Sequence, residues 1–195
     1  MSLLAFYTTS LKKHPRITNS LTTGFLFGTG DVLAQFISPG DDYDYKRTLR
    51  AAFYGSVVFA FIGDKWYKIL SKIKFPGQPL ANPRLNMIRN GITKTSIDQL
   101  GFAPLGIPLY YSIMTLLENK KFEEVQIKLK ENWLPTLKVN WMIWPIFQIF
   151  NLSIIPVQHQ LMAVNILSIF WNSYLSLRNA KKGEDLPVHS PPVPE

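Results

Sequence analysis

"VNWMIWPIFQIFNLSIIPVQHQLMAVN", residues 139–165, contains no Asp, Glu, Lys or Arg. It is rich in Trp, Ile, Phe and Leu. Yet Asn140, Gln148, Asn151, Gln158, Gln160 and Asn165 punctuate it, and Pro145 and Pro156 interrupt it. The uncharged run continues to Leu177. As one straight helix it would reach about 60 Å at about 1.5 Å per residue, twice a bilayer core of about 30 Å. The run must therefore fold back, and Pro156 is the natural break.

The polar residues of this run are not scattered. Trp141, Trp144, Gln148 and Asn151 are spaced 3, 4 and 3, which is one helical face. Asn165, Ser168, Asn172 and Ser176 are spaced 3, 4 and 4. Polar stripes on otherwise apolar helices predict faces turned toward one another or toward a wet cavity, not toward lipid. Pro145 lacks a backbone donor and is expected to kink its helix near Trp141. Trp141, Trp144, Pro145 and Pro156 are therefore candidate kink or gate positions. A carbonyl freed there needs a partner, which a facing Asn or Gln can supply.

The same reasoning extends outward. Residues 17–37 form the first predicted span, with Asp31 its one charge. Gly24, Gly28, Asp31 and Gln35 are spaced 4, 3 and 4. Gly24 and Gly28 make a small-xxx-small pair for close helix packing. Asp31 belongs in an interface or cavity, because an ionised carboxylate facing lipid costs at least about 2.5 kcal/mol. A second span is predicted over about 48–70. The linker "KFPGQPLANPR" then ends it, since its prolines and glycine cannot continue a helix. A third covers 85–117, whose final 18 residues carry no charge. Here the first motif repeats: "GFLFGTGD" and "GITKTSID" share a spacing in which Gly91, Thr95 and Asp98 match Gly24, Gly28 and Asp31. This is either a trace of internal duplication or chance.

Residues 121–137 read as a charge-mixed amphipathic helix at the membrane interface. Helices over 139–155 and 158–177 complete the set. The predicted fold is all-α: an integral membrane bundle of four to five hydrophobic helices in one domain, 17–178. The count depends on whether the last two both cross. The flanks are a basic amphipathic segment, 1–16, and a polar Pro-rich tail, 179–195, expected to be disordered.

Composition sets limits on function. Of 195 residues 17% are charged, below the roughly 25% of an average soluble domain. A mean hydropathy of +0.04 does not by itself demand a membrane; the segregation of charge into short clusters does. A soluble all-α bundle is the alternative, and the scarcity of polar faces on the last two helices opposes it. There is no cysteine, which removes disulfides, zinc thiolates and cysteine nucleophiles. The net charge of +8 is concentrated in 1–16 and in 64–98, where seven basic residues face Asp64 and Asp98. Basic clusters between apolar runs fit juxtamembrane loops better than a nucleic-acid surface. His14, His159 and His189 are dispersed, and no metal spacing, nucleotide-binding glycine loop or nucleophile elbow is present. No enzymatic activity, metal or cofactor is expected. The expected partners are membrane lipids, small solutes, and a second copy or a larger membrane complex, with no nucleic acid.

Two functions remain open on these grounds. The polar residues Asp31, Gln35, Asp98, Gln99, Gln148, Asn151, Asn165 and Asn172 form either a solvated path or interhelical glue. In the first, the two acids bias the path toward cations and the kinked helix gates it. In the second, each contact is worth about 0.6–2 kcal/mol and the protein is a non-conducting scaffold.

The pattern W-x-x-W-P-x-x-Q-x-x-N, followed by I-P, N and W-N-x-Y-L-S, occurs at Trp141, Trp144, Pro145, Gln148, Asn151, Pro156, Asn165, Trp171, Asn172, Tyr174, Leu175 and Ser176. With "GDVLAQ", "DYKRTLRAAFYG", "GDKWYKIL" and "DQLGFAPLG", it resembles the Mpv-seventeen/peroxisomal membrane protein family over nearly the whole chain. Within that family the text is most similar to the fungal mitochondrial, stress-inducible form. The resemblance implies an integral protein of the mitochondrial inner membrane, or in some members the peroxisomal membrane. It implies a channel-like role for small solutes or metabolites, and links to metabolic stress tolerance and mitochondrial DNA maintenance. One departure stands out: Gln160 occupies the place where the family commonly has Arg. Segment 1–16 is similar to a mitochondrial transit peptide, but its few basic residues and lack of an obvious cleavage site favour retention. The positive-inside rule then turns the N-terminus and the 64–98 loop toward the matrix.

Overall fold

Proline, glycine and capping side chains divide the chain into helices. The computed structural model describes residues 3–37 and 42–180, and among them there is helix and no strand. The elements are α1 Leu3–Lys13, α2 Pro15–Ile37, α3 Tyr45–Phe53, α4 Ala60–Lys72, α5 Pro83–Ile97, α6 Ala103–Leu117, α7 Phe122–Ile154 and α8 Val157–Ala180. From residue 181 on, the predicted tail lies outside the described residues. Pro15 opens α2, and Pro83 opens α5, where its missing N–H costs nothing. The Asn82 side chain accepts from the amides of Arg84 and Leu85, and Asp44 does the same for Lys46 and Arg47 at α3. Asn119, at φ 57°, closes the turn before α7.

Two features differ from the reading of the sequence. First, α3 and α4 are joined by a π turn, Tyr54–Phe59, and α5 and α6 by another, Asp98–Phe102. Each pair is thus one continuous rod with an extra residue wound into it. Second, the interfacial helix predicted over 121–137 and the span predicted over 139–155 are a single helix, α7, of 33 residues. The change from charged to apolar composition at Lys138 alters the surroundings a helix prefers but breaks no backbone hydrogen bond. Pro135 and Pro145 lie within α7 and do not end it.

Side-chain contacts give the topology. Thr23 meets Asn165 and Asp31 meets Ser176, so α2 and α8 run parallel. Gln35 meets Thr48 and Asn19 meets Asp64, so the α3–α4 rod runs antiparallel to α2. Asp98 meets Gln148 and Trp133 meets Pro104, so α5–α6 runs antiparallel to α7. The basic segments around α1, the end of α4 and the start of α5 consequently share one end of the bundle.

Close packing depends on small residues. A Cβ on Gly24 would lie 1.9 Å from Ser56 Oγ and 3.0 Å from the Ala52 carbonyl. On Gly28 it would make only ordinary contact with Ala52, at 3.5 Å. Gly91 repeats the Gly24 arrangement, with Ser153 Oγ at 1.7 Å from the Cβ position and the Ile149 carbonyl at 3.3 Å.

Prolines free carbonyls, and indoles take them. Pro108 cannot donate to the Pro104 carbonyl one turn back. Trp133 Nε1 donates to that carbonyl instead, at 3.0 Å. In the π turn the Ala103 amide bonds Asp98, five residues back. The next donor in that register would be Pro104, which has none, and Trp141 Nε1 donates to the vacant Gln99 carbonyl at 3.0 Å. At the end of α7, Gln160 Nε2 donates to the Ile155 carbonyl at 2.9 Å, beside Pro156. Gln160 thus serves as a cap for the preceding helix.

The bundle buries polar side chains among two apolar clusters and exposes many large apolar ones. Buried positions include Asp31, Asp98, Gln148, Asn151, Asn165 and Asn172, while Phe25, Phe36, Leu100, Leu105, Met142, Ile146 and Phe170 are exposed. By length and composition, one rod among the described residues, Pro83–Leu117, qualifies as a membrane span, with a mean hydropathy of 1.5.

A central cavity as candidate functional site

The predicted polar residues separate into two networks and two further positions. In the first network, Asp31 is 1% exposed and its carboxylate is surrounded. Arg47 Nε donates to Oδ1 at 2.8 Å, Thr48 Oγ1 and Gln35 Nε2 donate to Oδ2 at 2.7 and 2.8 Å, and Ser176 Oγ also donates to Oδ1. Arg47 Nη2 in turn donates to Ser176 Oγ at 2.7 Å. Gln35 Oε1 accepts from the Asp44 amide at 2.7 Å. This network ties α2, α3 and α8 together. Arg47 and Thr48 were not singled out as functional positions. The usable signal was the rule that a buried acid seeks a cation, combined with the basic "YKRTLR" start of α3.

The second network surrounds Asp98, at the first residue of its π turn. Trp66 Nε1 donates to Oδ1 at 2.7 Å. Gln99 Nε2 and Gln148 Nε2 donate to Oδ2 at 2.8 and 2.9 Å. Gln148 Nε2 also lies 3.1 Å from Tyr67 Oη, and Gln148 Oε1 accepts from Asn151 Nδ2 at 3.0 Å. Asn140 Nδ2 donates to Gln99 Oε1 at 2.8 Å. No Lys, Arg or His side chain among the described residues is within ion-pair distance of Asp98. Asn165 stands apart from both networks and donates to Thr23 Oγ1 at 2.8 Å. Asn172 is buried, and neither its Nδ2 nor its Oδ1 has a protein partner.

A central cavity of about 100 Å³ lies between the rods. Asp98, Gln99, Asn140, Gln148, Ser168 and Asn172 contribute its polar wall. Tyr54, Tyr110, Phe102, Trp144 and Trp171 contribute aromatic wall. Asp31, Gln35, Asn151 and Asn165 are not part of the lining. Of the candidate kink residues Trp144 lines the cavity, whereas Trp141 is engaged with α5–α6 and Pro156 separates α7 from α8. Among the described residues no group of three or more His, Asp or Glu side chains is placed to hold a metal ion.

The stretch that supplies much of this wall also matches a family model, described as Mpv17 / PMP22 family, over residues 115–176. Protein SYM1 of Saccharomyces cerevisiae is 48% identical over 202 residues, covering 100% of both chains. The chain belongs to the Mpv17/PMP22 family of membrane proteins. Protein SYM1 of Eremothecium gossypii is 50% identical over 92% of this chain and 97% of its own length. That of Debaryomyces hansenii is 53% identical over 90% of this chain and 87% of its own. No solved structure matches the chain at a significant level. In this family member, residues 115–176 include α7, which brings Asn140, Trp144 and Gln148 to the cavity, and the part of α8 that brings Ser168, Trp171 and Asn172.

Proposed function

We propose that this protein crosses the mitochondrial inner membrane several times and provides a narrow path for small solutes through its central cavity. The crossing elements are α2, the α3–α4 rod, the α5–α6 rod, the apolar half of α7, and α8. Buried polar side chains on α2, α7 and α8, beside large apolar ones exposed on every rod, support this assignment. The basic end of the bundle faces the matrix. Metabolic stress tolerance and mitochondrial DNA maintenance, which the family resemblance implies, are served by what the path passes.

The observation that carries the reading is Asp98: a buried carboxylate without a cation, on the wall of a cavity otherwise lined by amides, aromatic rings and aliphatic side chains such as Ile107, Val164 and Leu175. A purely structural acid would be expected to resemble Asp31, whose charge is matched by Arg47. An unmatched acid on the wall makes the cavity hospitable to neutral and cationic solutes and hostile to anions. Asp31, off the cavity and paired, is assigned to holding helices together.

The test is conductance and solute release by purified protein in planar bilayers and proteoliposomes. Wild type is expected to conduct. Gly106→Phe, which narrows the cavity beside the movable Phe102 ring, is expected to reduce both signals. Asp98→Asn is expected to lower the cation-to-anion permeability ratio. Silence from folded wild-type protein in both assays would favour the second reading, a non-conducting scaffold or assembly factor. That reading draws on the mutual satisfaction of most of the polar side chains.

A further inference from the structure

The polar groups of the cavity wall differ in how they are matched. Around Asp98 the carboxylate and the cavity-lining amides close on one another, and the unpartnered Asn151 Oδ1 lies off the lining. Two other lining residues, Asn172 and Trp144, are 4% and 6% exposed. Asn172 Nδ2, Asn172 Oδ1 and Trp144 Nε1 have no protein partner. A buried donor or acceptor left unmatched costs about 1–3 kcal/mol, and such groups are normally met by water or by a ligand. The two residues sit on adjoining helices: Trp144 of α7 contacts Trp171 of α8 edge to face, with ring centroids 6.0 Å apart, and Asn172 follows Trp171.

The unmatched atoms carry three N–H groups, two on Asn172 Nδ2 and one on Trp144 Nε1, and one acceptor oxygen. A hydroxyl, with two lone pairs and one hydrogen, matches one N–H of each residue and the oxygen. A carbonyl solute leaves Asn172 Oδ1 unmatched. An ammonium leaves every N–H unmatched. The surrounding rings of Tyr54, Tyr110 and Trp171 suit the C–H faces of a short polyol.

We propose that Asn172 and Trp144 form a subsite for the hydroxyl group of a small neutral polyol. The proposal rests on the solute-path reading and names the class of solute for that same cavity. Asn172 donates to the hydroxyl oxygen through Nδ2 and accepts its proton through Oδ1, and Trp144 donates the second N–H. Asp98, elsewhere on the same cavity wall, repels anionic competitors.

The experiment uses full-length protein in glycerol-free nanodiscs, with indole ¹⁵N labelling and glycerol as the probe. The Trp144 resonance is identified by its loss in Trp144→Phe. Glycerol is expected to displace it saturably, whereas acetone and ethylammonium chloride at equal concentration are not. Asn172→Leu is expected to raise the glycerol Kd at least tenfold. Trp144→Phe removes no bond made within the fold, so calorimetry on that variant supplies the comparison if Asn172→Leu does not fold; there the Kd is expected to rise several-fold. The proposal is overturned if glycerol produces no saturable shift, as when the site takes water alone. It is equally overturned if acetone or ethylammonium acts as strongly, or if the folded variants bind glycerol as wild type does. Glycerol entry into proteoliposomes is measured in parallel. Selective binding without entry keeps the subsite and removes the path; entry without selective binding keeps the path and removes the subsite.

Discussion

Asp31 and Asp98 end the same spacing of small residues, and both are almost fully buried. Their surroundings are opposite. Asp31 lies where α2 meets the start of α3, close enough to the bundle's end for Arg47 to reach it while keeping 18% of its own side chain exposed. Asp98 lies in the middle of the α5–α6 rod and receives only neutral donors, an indole and two amides. One motif therefore yields two devices: an ion-paired knot that fastens three helices, and an unpaired acid on a cavity wall. What distinguishes them is the chain that arrives opposite each acid, which the motif itself does not contain.

The largest test of this contrast is Asp31→Ala. It strands Arg47 in a half-buried site and leaves Thr48, Gln35 and Ser176 without their common acceptor. The expected loss is about 3–5 kcal/mol, read by denaturant titration in detergent micelles. A loss below about 1 kcal/mol, the range of an exposed pair, would reduce the knot to a surface ion pair and break the comparison.

Gly24→Ala and Gly91→Ala test the equivalence of the two motifs themselves. Each places a methyl against a serine hydroxyl and a backbone carbonyl, and each is expected to cost about 1–3 kcal/mol. Gly24→Ala should cost the more, because its carbonyl stands at 3.0 Å against 3.3 Å for Gly91. Gly28→Ala, with room at 3.5 Å, is expected to change stability little. Thermal unfolding midpoints of the three variants decide the order.

Asp98→Asn should cost less than Asp31→Ala, about 1–3 kcal/mol: it strands no cation and keeps one acceptor oxygen for Trp66, but turns an NH2 toward the Gln99 and Gln148 amides that donated to the other. The same denaturant titration reads it. A loss equal to that of Asp31→Ala would show that Asp98 is structural in the same sense and would erase the distinction. The smallest effect is expected from Trp133→Phe. It uncovers only the Pro104 carbonyl, at about 0.6 kcal/mol, the scale of an average interhelical hydrogen bond in a membrane protein. Differential scanning of that variant shows whether neutral ties of this kind add measurably to the fold.

Much of the architecture was legible. The uncharged lengths, the Pro156 break and the polar stripes point to an all-helical bundle with its amides inside, because helical period and proline geometry are local properties. Partnership is not local. The spacing of Asp31 and Asp98 assigned each to a face but could not say that Arg47 would come to one and Trp66 to the other. The two π turns were illegible for a related reason. Residues 54–59 and 98–102 carry no local signal for an inserted residue; in the first, Gly55 lies close against Phe27 and the Thr23 carbonyl, and the second is followed by Pro104, which has no amide donor. The continuity of α7 was obscured because a composition boundary at Lys138 resembles a structural one. The matching of Asn172 and Trp144 to a cavity required the three-dimensional placement of α7 against α8.

The indole contacts of Trp133 and Trp141 bear on how the chain is made. Until α7 is synthesised, the carbonyls of Gln99 and Pro104 have no donor, since prolines stand where the donors should be. A carbonyl without a donor is disfavoured in hydrocarbon. The α5–α6 rod is therefore a poor candidate for release into lipid by itself, and is expected to wait at the insertion machinery until its successor joins it. An insertion assay comparing chains ended at residue 120 and at residue 156 would show this as inefficient integration of the shorter product, relieved in the longer one and lost again when both tryptophans are replaced by Phe.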